Sequence, residues 1–164
     1  MTTKSFGDFL VLHRQLDEVF FEHQRALLRL DLDLASKLLE KYEAELLAHM
    51  RDEEELMIPL YRDRATAPVG GAPEIFLNEH EKLRQHVVLF REELTKLAAV
   101  DDLERGVLFL LDSQHLFKRL LVHHDSREKT MLYPLLDQVT SAQDRESLFA
   151  LLKLPPVITL VAAG

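Results

Sequence analysis

The chain contains no cysteine, and that one absence removes disulfides, zinc fingers, iron–sulfur clusters and thiolate catalysis together. Glycine and proline are scarce, five and six in 164 residues, and they cluster in a few places, leaving long stretches free to be helical. Positive charge is also short: 20 Lys and Arg stand against 28 Asp and Glu, for a formal charge of −8. A nucleic-acid binder draws its affinity from a basic face that displaces phosphate counterions, so no nucleic-acid partner is expected. No apolar run approaches the ~20 residues that span a bilayer, and the N-terminus lacks the charged-then-apolar pattern of a signal segment. The expectation is a soluble, cytoplasmic protein with no membrane partner.

What is present is ordinary globular material, 47% hydrophobic and 29% charged, in a length that suits one domain with a sizeable core. The main loop, Ala65 to Pro73, holds Pro68, Gly70, Gly71 and Pro73 and divides the chain into similar halves. Asp31-Leu-Asp33 reads as a turn in the first half, with Asp33 as the helix cap, and Val100-Asp101-Asp102 plays the same part in the second. Four helices follow, over Lys4–Arg29, Leu34–Arg62, Glu74–Ala98 and Leu103–Gln138. Pro59 and Pro134 should kink or end the second and fourth. A short fifth helix starts after Ser141 and stops before Pro155-Pro156, and an apolar tail runs from Val157 to Gly164. The fold expected is all-α: an up-down-up-down four-helix bundle over residues 1–140, with residues 141–164 as a short helix and tail of the same domain.

The second helix carries an inward stripe of Leu39, Tyr42, Leu46, His49, Glu53, Leu56 and Leu60. The fourth carries Leu110, Phe117, Leu121, His124, Glu128, Met131 and Leu135 at matching spacing. In each stripe one His and one Glu occupy places where Leu is the ordinary residue. The halves also repeat each other. Phe9-Leu-Val-Leu-His13-Arg-Gln-Leu16 matches Phe76-Leu-Asn-Glu-His80-Glu-Lys-Leu83, and Leu46-x-x-His49-x-x-x-Glu53 before Pro59-Leu60 matches Leu121-x-x-His124-x-x-x-Glu128 before Pro134-Leu135. The second half is about two helical turns longer between its two histidines, a surplus assigned to its connection. Two similar helical hairpins pack most simply about a pseudo-twofold axis, which would place two equivalent ligand sets around one point.

Residues four apart on a helix differ by about 40° in azimuth and about 6 Å in height, so His49 with Glu53, and His124 with Glu128, point the same way from adjacent turns. Imidazole binds first-row metals, and a carboxylate can bridge two of them. Four His and two Glu give each of two metals a pair of imidazoles and a share of both bridges, with positions left open for a small ligand. Burying two convergent carboxylates unpaired would cost several kcal/mol; two divalent ions reverse the sign, and their binding energy feeds into stability.

This order of His, His-x-x-x-Glu, His, His-x-x-x-Glu on successive helices resembles the hemerythrin-like, or HHE cation-binding, family, from His13 to about Leu135. The resemblance implies a carboxylate-bridged pair of iron ions with an oxo or hydroxo bridge. His13, His49, His80 and His124 would be terminal ligands, and Glu53 and Glu128 the bridges. Iron itself is implied only by the resemblance, because the same donors suit other divalent metals. The oxygen-carrying members use a further His one turn after the third-helix His, where this chain has Arg84, so the set looks more like the hemerythrin-like domain of repair-of-iron-centres proteins. Those also carry an N-terminal cysteine-bearing segment, which is missing here.

His23, His86, His115 and His123 fall off the inward line and are read as surface or supporting residues. Arg84 either turns outward or blocks the vacant ligand position, Tyr42 packs in the core, and of Glu53-Glu54-Glu55 only Glu53 points inward. A ferritin-like oxidase would need Glu three residues before His on two helices; those places hold Leu10, Leu46, Leu77 and Leu121. No nucleophile, general base or organic-cofactor motif argues for turnover of a carbon substrate. The expected function is binding or sensing of a small ligand (dioxygen, nitric oxide or peroxide) or iron handling at the metal pair, not enzyme catalysis. The alternative is a metal-free helical interaction module, and either reading leaves a homodimer open.

Overall fold

The computed structural model describes residues 4–157, and every regular element among them is helical. A single 3-10 turn, Phe6–Asp8, leads into α1 (Phe9–Leu28). Helix α2 (Leu32–Asp52) runs through a π turn, Glu53–Met57, into α3 (Ile58–Arg64). After the central loop come α4 (Pro73–Leu97) and α5 (Leu103–Arg127), and α5 runs through a second π turn, Glu128–Leu132, into α6 (Tyr133–Val139). A short α7 (Ala142–Phe149) closes the described chain. Packing follows the circuit α1–α2–α4–α5 and back to α1, the up-down-up-down bundle expected from the sequence.

Local chemistry sets the boundaries. Asp31, rather than Asp33, caps α2 by accepting from the Leu34 N–H, and Asp102 caps α5 in the same way through Arg105. The carboxylate must sit outside the helix to reach back to an unpaired N–H, and Asp33 is already inside. Ser141 and Asp144 form a reciprocal capping box at α7. The extra length of the second hairpin lies mainly in its helices: α4 and α5 each have 25 residues against 20 and 21 in α1 and α2. Its connection was expected to hold that surplus and is nearly as short as the first.

Pro59 and Pro134 neither end their helices nor simply kink them. A proline donates no N–H and crowds the carbonyl one turn back, and here each is preceded by a single widened turn. The Ile58 N–H reaches the Glu53 carbonyl, and the Tyr133 N–H reaches that of Glu128, each five residues back. The additional residue rotates everything downstream by one position. Leu56 and Leu60 were expected to continue the inward stripe, but Met57, Ile58 and Tyr61 are the buried residues; likewise Leu132, Tyr133 and Leu136 replace Met131 and Leu135.

The interior has two apolar layers with a polar layer between them. On the side of the interhelix turns, Phe20, Tyr42, Phe90 and Phe117 pack with ring centroids 4.9–6.3 Å apart, and burial of each such ring contributes roughly 1.5–3 kcal/mol. At the other end Phe6, Phe9 and Phe149 stack edge-on, with Phe76 and Tyr61 beside one another. The two ends of the described stretch are tied down there. Asp137 accepts from Ser5 Oγ and the Phe6 N–H, and Arg145 donates to the carbonyls of Lys4, Asp137 and Thr140. Buried Asp52 takes the backbone N–H groups of Lys153 and Leu154 at 2.9 Å, so this stretch packs on the bundle. Of the expected apolar tail, residues 158–164 lie outside the described residues.

Candidate metal centre

All six residues singled out in the sequence meet in the polar layer. His13 and His80 are the fifth residue of α1 and the eighth of α4, His49 and His124 come from the last turns of α2 and α5, and Glu53 and Glu128 open the two π turns. All six are buried, the two glutamates completely. They form two overlapping groups of converging donor atoms: His13, His49, Glu53 and Glu128 on one side, and Glu53, His80, His124 and Glu128 on the other. Each hairpin therefore contributes the histidine pair of one group, and both glutamates belong to both.

The carboxylates are turned so that each offers one oxygen to each group. Glu128 Oε2 lies 3.2 Å from His13 Nε2 while its Oε1 lies 2.8 Å from His124 Nε2 and 3.8 Å from His80 Nε2. Glu53 Oε1 is 3.7 Å from His49 Nε2 and Oε2 is 3.2 Å from His80 Nε2. His13 and His49 bring their Nε2 atoms within 3.0 Å of each other. Glu53 Oε2, His80 Nε2 and Glu128 Oε1 are buried without a hydrogen-bond partner among the described residues. Buried polar atoms are normally satisfied, and orphaned acceptors aimed at a common point fit cations between them.

The imidazoles are braced unequally. His80 Nδ1 donates to Glu54 at 2.8 Å, and Arg84 clamps that carboxylate through both oxygens at 2.7 and 2.8 Å. His124 Nδ1 donates to Glu79 at 3.0 Å, and Arg127 holds Glu79 at 3.1 Å while donating to the Gly70 carbonyl at 2.6 Å. Gly70 has φ of +80°, a conformation that suits glycine. Such carboxylate–imidazole pairs fix the ring and leave Nε2 for a metal. His13 Nδ1 faces only Asp125 Oδ1 at 3.6 Å, and His49 Nδ1 has no partner among the described residues; His49 is instead stacked on Phe9.

Charges among the protein groups follow this division. Burial depresses His80 and His124, but the adjacent carboxylates of Glu128, Glu53 and Glu54 carry His80 up to about 11, and the Glu128 charge carries His124 up to about 10. His13 goes the other way: burial outweighs the Glu128 charge and lowers it to about 4. Burial would raise Glu128, yet the positive charge of the adjacent His124 holds it well below the usual carboxylate range. Burial and the Glu128 charge push Asp125 up to about 8.

Sequence reasoning missed several participants. Tyr133 places its hydroxyl in the centre, donating to Glu53 Oε1 at 2.7 Å, with His13 Nε2 at 3.0 Å and Glu128 Oε2 at 3.2 Å. The π turn brings it inward, and its counterpart in the first half is Ile58. Glu54, read as solvated, supports His80, and Arg84 neither turns outward nor blocks a ligand position but holds Glu54. A detectable signal existed: Arg84 and Arg127 each lie one turn after a ligand-type His. His23 is fully buried, not at the surface, bonded to the Ala35 carbonyl at 2.8 Å and to Gln114 at 2.9 Å. His86 is half-buried, and His115 and His123 are exposed.

A family model described as the hemerythrin HHE cation binding domain matches residues 8–136, most of the chain. No curated protein and no solved structure matches it. Among the described residues no helix is long and apolar enough to cross a membrane.

Proposed function

The chain belongs to the hemerythrin HHE cation-binding family, and we propose that its two His/Glu clusters hold a pair of iron ions that bind or sense a small ligand. The observation that carries this reading is the orientation of Glu53 and Glu128, each with one oxygen toward either histidine pair. That is the arrangement a carboxylate bridging two cations requires. His13 and His49 would hold one ion and His80 and His124 the other. Bound there, the pair supplies Lewis-acid and one-electron redox chemistry toward dioxygen, nitric oxide or peroxide.

The protein's own groups supply the rest. Glu54 and Glu79 orient the imidazoles of His80 and His124 and keep their protons on Nδ1. Tyr133 offers the centre a hydroxyl that can give or take a hydrogen bond. The layers of Phe20, Tyr42, Phe90 and Phe117 above and Phe9 and Phe76 below limit water at the metals. A water-sized chamber adjoins His13, His49 and His124, lined also by Leu16, Leu46 and Leu121, so a small ligand would meet the pair mainly from the His13/His49 side. The reading is of a binding or iron-handling protein.

Elemental analysis of the purified protein with its ultraviolet–visible spectrum tests the proposal. Two irons per chain and a near-ultraviolet ligand-to-iron band are expected. Protein that holds no metal, and takes up none with ferrous iron under anaerobic conditions, overturns it in favour of a metal-free interaction module. Reversible bleaching and recovery with dioxygen would mark a carrier or sensor; irreversible oxidation or iron release would mark handling.

A further inference from the structure

We infer that divalent cations reach the metal centre through the seam between α1 and α5, passing the carboxyl oxygens of Asp17 and Asp125. The inference rests on the metal-pair reading above and adds the route by which the pair is filled. The seams around the polar layer are not alike. Glu54, His80 and Arg84 clasp α2 to α4, and Glu79, His124 and Arg127 clasp α4 to α5. In both, an arginine stands on the outside, where an approaching cation would be repelled. The groove between α2 and α4, about 190 Å³ and lined by Glu43, Leu46, Leu47 and Val87, ends against Arg84.

The seam between α1 and α5 carries no such clasp. It opens as a cleft of about 340 Å³ whose walls include Asp17 and Phe21 from α1 and Leu121, Val122 and Asp125 from α5. Asp17, Leu121 and Asp125 also line the inner chamber, whose free space of about 10 Å³ suits one water-sized species. The cleft and the chamber therefore lie against the same three side chains, and the chamber reaches His13 and His49. Neither aspartate is paired with a lysine or arginine among the described residues; Lys118, at the outer rim, donates instead to Gln24 at 3.3 Å. Asp17 is exposed at the lip, and Asp125 stands behind it with 30% of its side chain accessible.

A second observation marks the chamber as a place for a polar guest. Tyr42 lines it, is 1% exposed, and has a hydroxyl with no hydrogen-bond partner among the described residues; the Nδ1 atoms of His13 and His49, which also line it, are unpartnered too. Carboxyl oxygens followed by a hydroxyl offer a hard divalent ion successive donors as it sheds water. The charge of the ion itself favours the deprotonated form of each carboxyl it meets. Arginine-guarded seams and an aspartate-lined one thus sort the approaches by charge.

The test follows anaerobic uptake of cobaltous ion by the full chain after chelation, using stopped-flow absorbance. Asp17→Asn should slow uptake about tenfold, in the range by which charged clefts alter on-rates, and Asp17→Lys should slow it further. Val122→Trp, at an exposed position in the cleft, should slow it by obstruction. All three should still reach two metals per chain. Glu40→Lys, an equal charge change on the exposed face of α2, should leave the rate within about twofold, since surface charges beyond a Debye length are screened. Unchanged rates in the Asp17 and Val122 variants, or equal slowing by Glu40→Lys, overturn the route. Failure of the unaltered protein to take up metal overturns the metal-pair reading instead.

Discussion

The two halves of the metal centre hold the same donors in different frames. In the second hairpin, His80 and His124 are each gripped at Nδ1 by a carboxylate that an arginine holds from behind. In the first, His13 and His49 have no comparable support: one faces Asp125 at 3.6 Å and the other stacks on a phenyl ring. Both histidines of the unbraced side line the chamber that leads toward the α1–α5 cleft, whereas the braced side contributes only His124 to it. The difference teaches that an internal repeat can conserve a ligand set while dividing labour between its copies. On the metal-pair reading, the braced side favours retention and the other side access.

Several experiments can break or sharpen this contrast. The largest effect should come from the shared carboxylates: Glu128→Ala removes a donor from both groups, and metal content measured by mass spectrometry should fall toward zero. Retention of one full equivalent would show that bridging is not shared. Next, His49→Ala should leave about one metal per chain, bound at the braced position, whereas His80→Ala should lose the tighter ion; equal residual affinities in the two variants would erase the distinction. Smaller again, Glu79→Gln should weaken retention at the His80/His124 position about 10–100-fold, as loss of an imidazole's carboxylate partner typically does. Competition with a graded series of chelators should find the other ion unaffected.

The halves should also respond to pH in opposite senses once metal has been chelated away. His80 and His124 lie above the ordinary histidine value in the folded protein, so their contribution to stability is complete below pH 6.5 and is lost as pH rises toward about 10 to 11. His13 lies below it, at about 4, so its contribution is complete above pH 6.5 and is lost as pH falls toward 4. Asp125, raised to about 8, runs against the His13 limb between pH 4 and 6.5, so thermal midpoints should be nearly level there and fall above pH 6.5. His13→Ala should lower the midpoint more at pH 6.5 than at pH 4, and an equal loss at the two would count against the assignment. The smallest effect expected is Tyr133→Phe: loss of one buried hydrogen bond should lower stability by about 1 kcal/mol, with both metals kept.

The six donors and the bundle were legible because they depend on spacing within single helices. His-x-x-x-Glu places both side chains on one face whatever surrounds it, and Leu46 and Leu121 one turn earlier show which face is inward. The supporting residues were not legible in that way, because their contacts cross from one helix to another: Glu54 reaches α4 and Glu79 reaches α5, and periodicity along one helix says nothing about either. His23 misled for the same reason, since its partners, Ala35 and Gln114, lie on α2 and α5. Tyr133 was hidden by a different cause. Its register depends on one added residue in the π turn, and proline in the sequence announces a disturbance without saying whether the helix will bend, stop or widen.

The paired π turns carry a historical implication. Each begins at the glutamate of a His-x-x-x-Glu unit and is followed by the proline at the same interval. Two independent insertions at the same place are a less economical explanation than one insertion in an ancestral hairpin that was later copied. Such a hairpin could have lent one histidine pair and one glutamate to a symmetric dimer, with the metal pair on its axis. Ile58 and Tyr133, at equivalent places after their glutamates, are one point at which the two halves differ.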